Sequence, residues 1–191
     1  MHRVGVLHAF VTGVSRFNPG ARVEELKGRL KRHDVLQNAY LIARRIGAPD
    51  RVAGELAAMS QRRLDTKSFE WASNSSVFIY YRGCGQETTR RLHRERSETL
   101  CVMEEVNCHI EWQTGILAEE CRRIGISGVL PSQAYRDKLV EAYNEADLIL
   151  CPSRFVAKSF EAKGFAPAKL LVNNFGLSAP TNAPSKATAK D

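Results

Sequence analysis

The sequence predicts an α/β domain in which a mainly parallel sheet alternates with helices. Three observations carry this. Short apolar, β-rich runs recur along the chain: "VGVLHAFV" (Val4 to Val11), "SSVFIYY" (Ser75 to Tyr81), "LCVMEEVN" (Leu100 to Asn107), "DLILC" and "KLLVNNF". Between them lie segments whose apolar residues recur at helical spacing. "DLILC" is almost continuously apolar, as a strand in the middle of a parallel sheet should be. Strands alternating with helices imply a parallel sheet covered on both faces, a Rossmann-like three-layer domain. In such sheets ligands bind outside the carboxyl ends of the strands. The loops of interest are those after Tyr81, Asn107, Cys151 and Phe175.

Taken in order, "VGVLHAFV" reads as the first strand. "VEELKGRLKRHDVLQNAYLIARRI" reads as helix in two parts, stopped by Gly47 and Pro49. Asp50 is placed to cap a short helix through Met59. "SSVFIYY" is a strand that ends in the glycine turn "RGCG", and Glu87 to Arg96 reads as helix. After the strand at Leu100, a helical face is formed by Ile116, Leu117, Glu120, Cys121 and Ile124, and Gly125 ends it. Tyr135, Leu139, Ala142, Tyr143 and Ala146 form an apolar helical stripe that Ser132 can cap. Ser153 is an N-cap for the helix carrying Phe155, Val156 and Phe160, with Gly164 closing it. A single domain is expected over residues 1–178, with a polar, flexible tail or linker remnant at 179–191.

The 191 residues hold 43% hydrophobic and 26% charged residues, the balance of an ordinary globular protein. No apolar run is long enough for a membrane span, and the start lacks a signal-peptide pattern. The five cysteines show no C-x-x-C spacing, and His33, His93 and His109 are scattered. Reduced thiols and a cytoplasmic setting are expected, with no metal and no cofactor. The net charge of +7 is uneven. Up to Arg96 there are 18 Lys and Arg against 9 Asp and Glu; from Ser97 on there are 10 against 12. A basic first half suits an anionic partner such as the inner face of a membrane. Nucleic acid is the weaker choice, because no recognition motif is present and few aromatics lie among the basic residues.

The stretch "EAYNEADLILCPSRFVAKSFEAKGFAPAKLLVNNFGLS" (Glu141 to Ser178) resembles the end of the N-terminal, acceptor-side domain of family-four glycosyltransferases, which have the two-domain GT-B fold. Ala146, Asp147, Ser153, Phe155, Val156, Gly164 and Gly176 fill the positions of its motif. "VFIYYRGCGQETTRRL" and "VMEEVNCHIEWQTGILAEECRRIG" are more loosely similar to the family's strand, small-residue turn, histidine loop and acidic helix. "LHAFVTG" resembles its second strand. The resemblance implies that the first strand–helix unit and the whole nucleotide-sugar domain are missing from these residues, as if truncated at both ends. The family's strand ending is also altered here, to "VNNFGLS".

The resemblance further implies an acceptor-side half that is inactive alone and needs a separate donor-binding domain or chain. Glycosyl transfer requires charge stabilisation on the departing diphosphate and an acceptor hydroxyl held beside the anomeric carbon. One half can at best hold the acceptor. Candidate substrate-binding residues are Gly83 and Gly85, through backbone amides at a strand end, and His109, which the resemblance puts at the cleft. For the glycines the competing role is turn chemistry, and for His109 it is a structural one. Ser153 suits a helix cap better than a nucleophile, and Glu119 and Glu120 are solvated helix charges. No catalytic residue is assigned. A non-catalytic α/β binding module with a basic surface is the second reading.

Overall fold

A computed structural model describes residues 5–18, 26, 28–128 and 130–174. The expected tail at 179–191, the loop after Phe175 and the motif position Gly176 lie outside the described residues, as does Val4. Strands β1 (Phe10–Thr12) and β2 (Leu30–Arg32) pair in parallel, Phe10 opposite Leu30 and Thr12 opposite Arg32. This corrects two expectations. The first strand lies at the end of the apolar run rather than along it. Residues 30–32, expected to be helical, are a strand. Gly28 breaks the helical reading with a φ of 84°. The strand is then held by Phe10 N–H donating to Arg29 O at 2.8 Å and His33 N–H to Thr12 O at 2.9 Å. Helix propensity in a basic, polar stretch yields to a backbone partner.

Helix α1 (Val35–Arg45) ends where expected, with Gly47 at a φ of 70°. Helix α2 runs from Asp50 to Ala72, well past Met59. Its buried positions are Ala53, Ser60, Asp65, Ser68 and Ala72. Small and polar residues form that face, so an apolar stripe is absent and the second half was not recognisable as helix. Ser68 can be buried because its hydroxyl donates to Leu64 O at 2.8 Å within the same helix.

The main sheet contains β3 (Val77–Tyr81), β4 (Leu100–Glu104), β5 (Leu148–Cys151) and β6 (Leu170–Val172), all parallel and in sequential order. The fold is Rossmann-like α/β. In a sequentially ordered parallel sheet the right-handed rule for crossovers puts each connecting helix on the same face. That face carries the core. Tyr80, Cys101, Met103, Ile149 and Cys151 point into it. They meet Leu92 of α3 (Gln86–Arg94), Leu139, Ala142 and Tyr143 of α5 (Gln133–Glu145), and Val156 and Phe160 of α6 (Arg154–Glu161). Val77, Ile79, Tyr81, Leu100 and Leu171 alternate with the inward residues, and each is more than a third exposed.

Local signals place these helices. Ser132 Oγ accepts from Tyr135 N–H and Ser153 Oγ from Val156 N–H, each at 3.3 Å; such caps are worth about 1 kcal/mol. Gly125 and Gly164 close α4 (Ile110–Ile124) and the turn after α6 with φ of 70° and 90°. The α5 stripe is buried from Leu139 to Ala146, while Tyr135 is exposed. On α4 the expected stripe faces outward: Ile116, Leu117 and Ile124 are exposed, and its anchor is Ile110 at the first turn. No helix is long and apolar enough to cross a membrane among the described residues.

Candidate functional site

The carboxyl ends of the four parallel strands lie side by side and form one rim. It is built from Arg82 to Gly85 after β3, Glu105 to His109 after β4, Pro152 after β5 and Asn173 after β6. Between them is a small cavity of about 40 Å³, lined by Glu104, Glu105, Val106, Leu150, Pro152 and Asn173. That is room for a water or two, not for a sugar ring. Any larger ligand lies across the rim.

The central feature is a buried carboxylate. Glu105 is 0% exposed. Arg82 Nη1 stands 3.3 Å from Glu105 Oε1, Asn107 N–H donates to Oε1 at 3.1 Å, and the Tyr143 hydroxyl donates to Oε2 at 3.0 Å. Burial pushes the Glu105 carboxyl above the usual carboxylate range, and Arg82 opposes it. The Tyr143 hydroxyl is pushed up too, by its own burial and by the Glu105 charge. Both Glu105 oxygens are engaged within the chain. The residue therefore fixes the 105–109 loop and aims Arg82, and proton transfer to a ligand is not its evident task. Glu104 and Asn173 reach solvent at the same rim.

Gly83 and Gly85 sit on the β3 turn, as the sequence implies. Gly83 has a φ of 85°, and Cys84 N–H closes the turn onto Tyr81 O at 3.0 Å. Gly85 is needed for packing: a Cβ there would lie 2.2 Å from Tyr80 Cγ. The α3 N-terminus that follows is already occupied. Asp65 of α2 accepts from Glu87 N–H and Thr88 N–H, both at 2.9 Å, and the Thr88 hydroxyl donates to Asp65 O at 2.6 Å. The anion expected at such a helix end is supplied by the protein itself.

His109 follows β4 in the expected loop, but its ring is 2% exposed. It is the N-cap of α4, with Nδ1 accepting from Glu111 N–H at 3.2 Å, while its backbone N–H donates to Ser159 Oγ at 2.9 Å. The ring packs against Tyr143, Phe160 and Phe165 at 5.1, 5.1 and 5.6 Å. Burial, helped by Lys163, lowers its pKa to about 4, so it stays neutral. These contacts give it a structural part, whatever else the loop does.

Sequence reasoning passed over Arg82, Glu105 and Asn173. The available signal was a pair of neighbouring strands ending in opposite charges, "YYR" and "MEE". It needed the register, in which Tyr81 lies opposite Glu104, to become a pairing. All five cysteines are free; Cys101 and Cys151 are buried, and burial raises each thiol to about 11. No family model matches the chain, and no curated protein or solved structure matches it either.

Proposed function

We propose that this chain is glycosyltransferase-related and supplies the acceptor-side half of a GT-B arrangement, with a separate donor-binding domain or chain holding the nucleotide-sugar. The observation that supports this reading is the parallel, sequentially ordered sheet whose carboxyl ends form one polar rim with the buried Arg82–Glu105 pair at its centre. The Glu141–Gly164 stretch adds to it, since its strand, Ser153 cap, helix and glycine turn form one unit that delivers Pro152 to that rim. On this reading Arg82, Glu104, Asn173 and the amides around Gly83 meet acceptor hydroxyls, and the donor diphosphate is stabilised elsewhere.

Isotope-labelled chain titrated with an alkyl glucoside and, separately, with UDP-glucose tests this. The glucoside is expected to move the amide signals of residues 82–85, 105–108 and 173. UDP-glucose is expected to show no saturable binding at micromolar concentration by calorimetry. Saturable micromolar binding of UDP-glucose, or a glucoside titration that leaves the rim unmoved, would overturn the proposal.

A second reading, a non-catalytic module that meets an anionic surface, is favoured by one observation. Arg62, Arg63 and Lys67 are exposed along α2, and His33 lies close enough to Arg63 and Lys67 that they add to the burial lowering its pKa. On this reading the chain sediments with phosphatidylserine vesicles, weakly and less so in salt, since each basic residue near such a surface contributes roughly 1 kcal/mol. Equal sedimentation with neutral vesicles would count against it.

A further inference from the structure

At the opposite end of the sheet from the rim, three residues converge that no step above uses. His93 is in the last turn of α3, Cys101 is the second residue of β4, and Asp147 immediately precedes β5. We propose that His93, Cys101 and Asp147 form a binding site for one divalent transition-metal ion of the zinc class.

Imidazole, thiolate and carboxylate are the zinc donor set. His93 Nε2, Cys101 Sγ and a carboxylate oxygen of Asp147 all lie within 4.8 Å of one another. His93 Nε2 and Asp147 Oδ1 are 3.2 Å apart. Two ligand atoms bound tetrahedrally at zinc–nitrogen and zinc–oxygen distances stand about 3.3 Å from each other, so that pair is already at the required bite. Three protein ligands leave a fourth position for water. The His93 and Asp147 side chains are 40% and 36% exposed, which provides the entry path, while Cys101 is fully buried.

The surroundings fit ligands held in place. Cys101 N–H donates to Asp147 Oδ2 at 2.7 Å, and Asp147 N–H donates to Cys101 O at 3.0 Å. The carboxylate is thereby tied to the strand carrying the thiol, with Oδ1 left facing His93. Thr89 stands at the edge of the site: its buried hydroxyl is close to both the Cys101 thiol and the Tyr80 hydroxyl and favours the thiolate, against the burial that raises the thiol to about 11. A metal-bound thiolate at Cys101 would be an acceptor for that hydroxyl. Lys169, which senses the Asp147 charge, opposes a cation, but its ammonium donates to Asn144 O at 2.8 Å. Binding displaces the Cys101 proton to solvent, so uptake weakens as pH falls.

The test is titration of the reduced, chelator-treated full chain with Co²⁺. One ion per chain is expected, with visible tetrahedral bands and a near-ultraviolet thiolate-to-cobalt band, both removed by Zn²⁺. His93→Ala, on the surface, is expected to lower the affinity at least about tenfold, Cys101→Ser to abolish the near-ultraviolet band, and Cys108→Ser to change neither. Circular dichroism checks that each variant folds. Should Cys101→Ser fail to fold, His93→Gln and Asp147→Asn carry the test. No uptake, uptake without the thiolate band, or an affinity indifferent to His93 would overturn the proposal and leave a surface ion pair beside a core cysteine.

Discussion

Arg82→Ala is expected to cost about 2–4 kcal/mol of unfolding free energy at pH 8 and much less at pH 5. Breaking a buried pair by removing one partner costs about 3–5 kcal/mol, and the 22% exposure of the Arg82 side chain lowers that. The pH dependence follows from Glu105. Burial raises its pKa in the folded state, so its contribution to stability is fully present below the unfolded value and is lost as pH rises through the folded one. Arg82 is the charge that limits this loss. Without it the folded pKa climbs further, and the penalty grows from the ordinary carboxylate range upward. At 191 residues each kcal/mol moves the melting temperature by roughly 2–4 °C. Urea unfolding of the wild type, Arg82→Ala and the Arg82→Ala/Glu105→Gln double variant at both pH values measures this. The double variant should recover most of the loss at pH 8. A penalty that is the same at pH 5 and pH 8 would show that Glu105 is not the uncompensated charge.

Gly85→Ala is expected to cost about 3 kcal/mol, the upper end of overpacking effects. The added Cβ would stand 2.2, 2.4 and 2.6 Å from Cγ, Cδ2 and Cβ of Tyr80. Because Tyr80 Cβ is among them, rotating the ring does not relieve the clash. The ring is also buried and stacked on Phe78, with centroids 5.0 Å apart. Gly83→Ala is the control. Its added Cβ meets nothing nearer than Gln61 Oε1 at 3.7 Å, but its φ of 85° costs about 1 kcal/mol. Thermal melts and near-ultraviolet circular dichroism should rank wild type above Gly83→Ala above Gly85→Ala. A Gly85→Ala protein that melts like wild type would mean that this glycine serves something other than packing.

From Val77 onward most of the fold was legible in the sequence, the outward face of α4 excepted, whereas before it only the end of α1 at Gly47 and the start of α2 at Asp50 were. The second half signals locally. Ser132 and Ser153 cap within three residues, Gly125 and Gly164 stop helices through positive φ, and the apolar runs of β3 and β5 are continuous enough to be strands in themselves. The first half is decided by partners distant in the chain. Leu30–Arg32 becomes a strand because Phe10–Thr12 lies beside it. The α2 helix continues to Ala72 because its small, polar face packs where no apolar stripe marks it.

The candidate site divides in the same way. The sequence alone determined that strand ends followed by turns would form the carboxyl-end rim of a parallel sheet, and that Gly83 and Gly85 would lie on it. Those properties depend on backbone sterics and on hydrogen bonds within one turn of chain. Only the tertiary structure decided that Arg82 meets Glu105, that His109 is sealed among Tyr143, Phe160 and Phe165, and that Asp65 occupies the α3 N-terminus. It likewise brought His93 and Cys101 to Asp147. The partners in each case are tens of residues apart, and their meeting depends on strand register and on which face a helix crosses. A shift of one residue in the β3–β4 register would turn Glu105 from Arg82 and leave its charge in the core unpaired. The energy that selects this arrangement lies in burial and pairing between elements, which no local stretch of sequence contains.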